Sequence, residues 1–339
     1  MNRWDVILLN TELRKAVEHT YCMQILDTDI LHDTGRTIVI HLKTSKGDYV
    51  LKRIILDEER LQFILAVEDQ IRSTGIYIPN VLPTVDGKRY FIWKNQYYLM
   101  QQYIYGDPST DPDMGETSVE NIWERGVLLG QLHRASYGFS TPMSPKYMGL
   151  NNWNEHYQSG LYYLKRWYEK NKNSSSERKQ VMCEYLPYFQ VAGYEIYQAL
   201  QRSSYYANLK YRSVAEQWIC HGDFHRGNVF KRRGQFWVID WEFTRHDFPS
   251  KDLERLVNLL VKKQSRWSRK AFTTLIDQYL SNNTLSQADQ WIMYHDLAFP
   301  HGVRRMVKHD LYKKGSVSDL EELLQKEWDR GEHLKQLID

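Results

Sequence analysis

The sequence predicts an α+β protein in which a small strand-built N-terminal part precedes a larger, mostly helical one. Three observations carry this: two hairpin patterns flank one helical stretch in the first hundred residues, helical periodicity dominates after about residue 106, and no internal repeat divides the chain. The first hairpin is TIVIHLKT (37–44) and DYVLKRI (48–54) around SKGD, where Gly47 supplies a dihedral that other residues resist. The second is RYFIW (89–93) and QYYLMQQY (96–103) around Lys94-Asn95. Between them, residues 56–75 place Leu61, Ile64, Leu65, Val67 and Ile71 at helical spacing, and Gly75 suits the helix end.

Beyond Gly106-Asp107-Pro108, residues 118–136 form an amphipathic pattern with Ile122, Leu129 and Leu132 on one stripe. Further helices are expected near 155–170, 178–203, 250–263, 268–280 and 286–297, and a last one opens with Ser318 and Glu321 at capping-box spacing. The seam near 103–107 gives an N-terminal lobe over 1–103 and a helical lobe over 104–339.

Bulk properties exclude several classes. An apolar fraction of 42% over 339 residues fills a sizeable core. Lys plus Arg exceeds Asp plus Glu by only three, too little to call for nucleic acid. Cys22, Cys183 and Cys220 are odd in number and far apart, which argues against a disulfide framework or a structural zinc site. No apolar run approaches a signal-peptide core or a membrane span, so a cytoplasmic protein without a membrane partner is expected.

Chemistry concentrates in CHGDFHRGNVF (220–230), followed by FWVIDWEF (236–243). Phosphoryl transfer needs a carboxylate beside the acceptor hydroxyl, an amide oxygen and a second carboxylate to hold Mg²⁺, and a lysine for the inner phosphates. The chain offers these in order: Lys52 in a strand, Asp223 in a loop, Asn228 five residues on, and Asp240 after an apolar strand.

HGDFHRGN and VIDWE closely resemble the H-G-D-x-x-x-x-N and I-D-x-E elements of the aminoglycoside phosphotransferase and choline kinase superfamily. Within it, FILAVEDQIRSTGIYIPNVLPT, YLMQQYIYGDP, LLGQLHRASYGF and FPSKDLERLV resemble the CotS-type spore coat kinases of Bacillus-like bacteria. The resemblance implies a protein-kinase-like two-lobe fold and a Mg²⁺-dependent kinase using ATP or GTP on a small-molecule or protein hydroxyl acceptor. It implies Asp223 as catalytic base, Asn228 and Asp240 as Mg²⁺ ligands, and Lys52 on the nucleotide phosphates. Gln101 and Tyr103, in a hinge over 101–104, would offer backbone groups to the nucleotide base. His221 would support the loop and Asp252 would brace it through its backbone. Two elements depart from the pattern. The helix glutamate that pairs with such a lysine falls by counting at Ile64 or Leu61, with Glu68 or Glu59 as substitutes, and the nucleotide loop over 31–37 holds only Gly35.

Two other readings compete. One is a non-catalytic kinase-fold component of the spore coat, bound to other coat proteins. The other is a metal-dependent hydrolase: His221, Asp223 and His225 alternate and would share one face of a strand, with His246, His301 or His309 completing the site. Gly222 weakens that strand, and Asn228 would have no task there. His225 and Arg226 otherwise read as structural or substrate-side residues.

Overall fold

The structure, a computed structural model, describes residues 11–34, 37–105, 118–225 and 227–338. The chain divides into two compact units, Met1–Gly115 with Phe230–Ile239, and Glu116–Val229 with Asp240–Asp339.

The N-terminal unit is built on an antiparallel sheet of β1 (Ile25–Asp33), β2 (Ile38–Thr44), β3 (Gly47–Ile54), β4 (Phe91–Trp93) and β5 (Gln96–Gln102), in the order β1-β2-β3-β5-β4. Both expected hairpins are present. Gly47 has φ +118°, and Lys94 and Asn95 both have positive φ, which matches a two-residue turn to the twist of β4 and β5. Two elements escaped the periodicity: α1 (Thr11–Tyr21) and β1, whose residues after Ile25 are mostly exposed and so show no alternation. Side chains alternate across β5, and this splits the core in two. Tyr98 and Met100 join Leu51 and the α1 residues Leu13, Val17 and Tyr21 on one face. Leu99 and Ile54 meet Leu61 and Leu65 of α2 (Glu58–Ser73) on the other. Asp57 caps α2 by accepting from the Arg60 N–H. The hairpin β7 (Val229–Arg232) and β8 (Gln235–Val238) runs into this unit, where the Val238 N–H donates to Tyr77 O over 2.9 Å.

In the helical unit, α3 (Val119–Ser136) packs on α7 (Ser250–Lys263) and α8 (Arg269–Leu280). The antiparallel pair α4 (Trp153–Asn171) and α5 (Glu177–Arg202) is followed by the short α6 (Ser204–Leu209). Along with α9 (Gln287–Ala298), α10 (His301–Lys308) and α11 (Val317–Ile338), these helices enclose a core that includes Leu164, Leu186, Phe189, Val303, Met306 and Leu324. Strand β6 (Trp218–Cys220) pairs antiparallel with β9 (Arg245–Asp247). The expected cap of the last helix is corrected by two residues: Ser316 and Asp319, not Ser318 and Glu321, exchange the N-terminal bonds, at 3.0 and 2.7 Å. Among the described residues no helix is long and apolar enough to cross a membrane.

Helices α3 and α8 approach closely because Gly126 and Gly130 face α8. A Cβ on Gly126 would lie 2.7 Å from Leu275 Cδ1, whereas one on Gly130 would lie 2.6 Å from the backbone oxygen of Tyr279. Alanine in place of a mid-helix glycine ordinarily stabilises by about 1 kcal/mol. Here Gly130→Ala is expected to destabilise by about 1–3 kcal/mol, because backbone cannot give way as a leucine side chain can. Urea unfolding of Gly130→Ala beside Gly126→Ala measures it; a Gly130→Ala protein more stable than the parent would refute the close-packing account.

Candidate active site

The loop 221–228 leaves β6 and turns at once. Gly222 has φ +83°, and a Cβ there would lie 2.4 Å from the Phe243 carbonyl oxygen, so glycine alone fits between the two segments. The turn is held by Asp252, fully buried near the start of α7. Its Oδ2 accepts the His221 N–H at 2.6 Å and its Oδ1 the Gly222 N–H at 2.9 Å. Burial alone would raise the Asp252 carboxyl, but the hydrogen bond and charge of His133, then His221 and the Gly222 N–H, outweigh it and hold the group below its ordinary value. His133 is oriented in turn by Tyr279, whose hydroxyl lies 2.8 Å from Nδ1.

Fully buried, His221 packs its ring 4.8 Å from that of Trp241, and its Nδ1 accepts the Asp223 N–H at 3.2 Å. The Asp223 side chain is half-buried and points among three groups: His225 Nε2 and Asn228 Nδ2 each lie 3.3 Å from Oδ2, and Arg255 Nη2 lies 3.3 Å from Oδ1. His225 Nδ1 accepts the Gly227 N–H at 2.9 Å, which places the ring proton on Nε2, facing Asp223. The His225 hydrogen bond, with the charge of Arg255, holds the Asp223 carboxyl below its ordinary value against partial burial.

Asn228, 8% exposed, also donates its amide to the Asp223 carbonyl at 3.1 Å. The nitrogen is thereby committed to Asp223, and the side-chain oxygen remains as a hard donor. Asp240 adopts φ 65°, ψ 61° at the head of the turn Trp241–Phe243. A left-handed non-glycine residue costs roughly 1 kcal/mol or more and persists only where its surroundings enforce it. The next segment is pinned by Thr244, whose hydroxyl donates to Cys220 O at 2.9 Å. An amide oxygen and a carboxylate suit Mg²⁺, which takes oxygen ligands, one or two of them protein carboxylates.

In the N-terminal unit, the β3–β5 register places Lys52 opposite Leu99, and hence on the sheet face that packs against α2. Leu61, Leu65 and Glu68 follow one another along that face of α2, and Glu68 is 3% exposed. Burial pushes the Glu68 carboxyl up to about 7, against the pull of Arg72, Arg89 and Lys52. Of the two substitutes the sequence offers, Glu68 is the one buried on this face of α2, where counting back from Gly75 falls on Ile64 or Leu61; Glu59 is exposed. It sits two turns before Gly75 rather than three, and both Ile64 and Leu61 are core residues. Arg72 Nη2 lies 3.6 Å from Glu68 Oε2 and is held by the Pro79 carbonyl at 3.0 Å.

Part of the backbone of the expected hinge is engaged within its own unit. Gln101 pairs with both Val50 and Val81, the Gln102 N–H donates to Asn80 O, and the Tyr103 N–H donates to Asp48 O at 3.3 Å. The Tyr103 ring stacks on His41, 4.0 Å between centroids. The N–H groups of 102 and 103 are thus engaged in the sheet and its edge. Gly35 and Arg226 lie outside the described residues.

The hydrolase arrangement does not form. Residues 221–225 are a loop, with His221 turned into the core and His225 towards Asp223, so the three side chains share no strand face. His301 is bonded to Asp296 at 3.0 Å, and His246 lies buried on β9. Among the described residues, the His/Cys/Asp/Glu group close enough to hold an ion is His133, Cys220 and Asp252, where Asp252 is already engaged by backbone N–H groups. Two neighbours of Asp223 were undervalued in the sequence: His225, and Arg255, one helical turn after Asp252 on α7. The D-x-x-R spacing is the signal that finds the latter.

Residues 34–291 match the model of the phosphotransferase enzyme family. Spore coat protein S of Bacillus subtilis (strain 168) is 24% identical over 274 residues, covering 79% of this chain and 75% of that protein. An aminoglycoside phosphotransferase from Alicyclobacillus acidocaldarius superposes with a TM-score of 0.72 at 16% identity, over 97% of this chain and 99% of the other. An amicoumacin kinase in complex with AMP-PNP, Ca²⁺ and Ami superposes with a TM-score of 0.62 at 15% identity, over 97% of both chains.

A carboxyl raised to about 7 binds its proton more tightly folded than unfolded, so it costs stability as pH rises from its ordinary 4.5 through 7. Glu68→Gln is expected to stabilise the protein at pH 8 by up to about 3 kcal/mol, with the gain shrinking below pH 5. Denaturant unfolding at the two pH values measures this. A gain equal at both, or largest at pH 5, would refute the assignment of Glu68 as a buried carboxyl titrating near neutrality.

Proposed function

From the premise that the chain belongs to the phosphotransferase enzyme family, we propose that it is a Mg²⁺-dependent kinase moving the γ-phosphoryl group of ATP or GTP to a hydroxyl acceptor. The observation that supports it most is the Asp223–Asn228 contact: the amide nitrogen fixes the carboxylate and leaves the amide oxygen for a metal, upstream of a left-handed Asp240. Asp223 orients the acceptor hydroxyl and takes its proton, while His225 and Arg255 keep its carboxylate aligned and ionised. Asn228 and Asp240 would hold Mg²⁺, which would supply charge neutralisation for the phosphates. Lys52, held by Glu68, grips the inner phosphates, and the hinge over 101–104 meets the base through its carbonyls and the segment beyond Tyr103. The relative named for the spore coat supports a coat setting, with other coat proteins as partners.

A coat component without catalysis is the second reading, since the same relative is named a spore coat protein. Thermal unfolding with ATP or GTP, with and without Mg²⁺, separates the two. The expected result is a Mg²⁺-dependent rise in Tm that is lost in Asp240→Ala, since a ligand of the folded state stabilises it by mass action. Asp223→Ala is expected to keep that rise and to lower turnover by about a hundredfold or more, the usual contribution of a positioned general base. No shift at millimolar nucleotide would favour the coat-component reading, and turnover in Asp223→Ala equal to the parent's would remove Asp223 from the role of base.

A further inference from the structure

The last turn of α9 carries Asp296, a carboxylate with no exposed surface. A helix C-terminus is a poor place for negative charge, because the backbone dipole opposes it. Burial adds a further cost unless the charge is matched. Three neighbouring helices match it. From α7, the Ser250 hydroxyl donates to Oδ2, and Lys251 Nζ lies 2.9 and 3.0 Å from the two oxygens. From α10, His301 Nε2 lies 3.0 Å from Oδ1, and the Tyr157 hydroxyl of α4 donates to the same oxygen. Burial pushes the Asp296 carboxyl up, but Lys251 and then His301 outweigh it and hold the group well below its ordinary value.

The part of α7 held in this way is its first turn. Lys251 is fixed further by Trp153, whose ring centroid lies 3.8 Å from Nζ. One turn on, Glu254 is paired with Arg305 of α10 at 2.7 Å. Residues 251 and 254 share one face of the helix, and 252 and 255 share the next, about 100° around the axis. The first face is tied to α9 and α10. The second meets the catalytic loop: Asp252 accepts the His221 and Gly222 N–H groups at 2.6 and 2.9 Å, and Arg255 Nη2 lies 3.3 Å from Asp223 Oδ1. Hydrogen bonds of that length tolerate little displacement, so the loop follows the first turn of α7.

We propose that Asp296 is a positioning residue for phosphoryl transfer: through Ser250 and Lys251 it sets the first turn of α7, so that Asp252 and Arg255 hold Asp223 in place. As a part of catalysis this rests on the reading of Asp223 as base, whereas the placement of the loop does not. Loss of a carboxylate that served stability alone would be felt throughout the helical unit. Loss of one that positions α7 is felt first at the loop.

Amide hydrogen exchange on the whole chain separates the two. In Asp296→Asn, the N–H groups of 221–223 are expected to exchange about tenfold or more faster, while those of 186–196 in α5 change much less. Lys251→Met is expected to reproduce this, and Lys251→Arg to restore most of the protection; Lys251→Met also serves if Asp296→Asn does not fold. Leu324→Ala, which opens a cavity in the core shared by Leu186 and Phe189, is the reference for general destabilisation. It is expected to speed 186–196 at least as much as 221–223. Rates at 221–223 unchanged in Asp296→Asn and Lys251→Met, or rising only in step with 186–196, would overturn the inference. Asp296→Asn is further expected to keep the Mg²⁺-ATP rise in Tm and to lower turnover by about tenfold to a hundredfold, as misplaced reacting groups do. Faster loop exchange with turnover equal to the parent's would remove Asp296 from catalysis. A parent without turnover sinks the kinase reading and leaves the exchange result to decide the placement of the loop.

Discussion

The carboxylate of Asp252 is the constraint on which the catalytic loop depends. A fully buried charge is tolerable only if it is matched, and here two consecutive backbone N–H groups and the His133 ring match it. Those two N–H groups belong to His221 and Gly222, so the solvation of Asp252 and the shape of the loop are one arrangement. A chain reversal that only glycine can make then aims Asp223 out of the core, and His221 turns its ring inward to catch the next N–H. Removing the carboxylate would take the acceptor away from both N–H groups at once.

A second constraint acts in the N-terminal unit with the opposite sign. Glu68 is buried where its own ionisation is disfavoured, and the neighbouring Arg72, Arg89 and Lys52 only partly compensate. Asp252 gains from its surroundings and Glu68 loses by them, although both are buried helix carboxylates. The difference is hydrogen bonding: Asp252 accepts backbone donors on both oxygens, whereas Glu68 Oε2 is buried without such a bond. Strain of this kind is common where a charge is kept for use rather than for stability.

Asp223 shows how a site can be over-determined without being closed. Asn228 fixes it from the loop, His225 from the same loop through a defined tautomer, and Arg255 from α7. Three contacts on one carboxylate leave little freedom for its rotamer.

The sequence by itself determined the hairpins, most of the helices and the residue types of the candidate site, because these depend on local rules: period-two and period-3.6 burial, turn dihedrals, and short spacings such as D-x-x-x-x-N. It did not reveal β1, whose exposed edge carries no alternation, and it set the last helix cap two residues late, since Ser316 and Ser318 are each followed three residues on by a carboxylate. Only the tertiary structure decided that Glu68, two turns and not three before Gly75, stands on the face opposite Lys52, because that depends on how α2 rotates against the sheet. Only it brought Arg255 and His225 onto Asp223. Which charges meet across distant segments is settled by packing, and packing is not a local property of the chain.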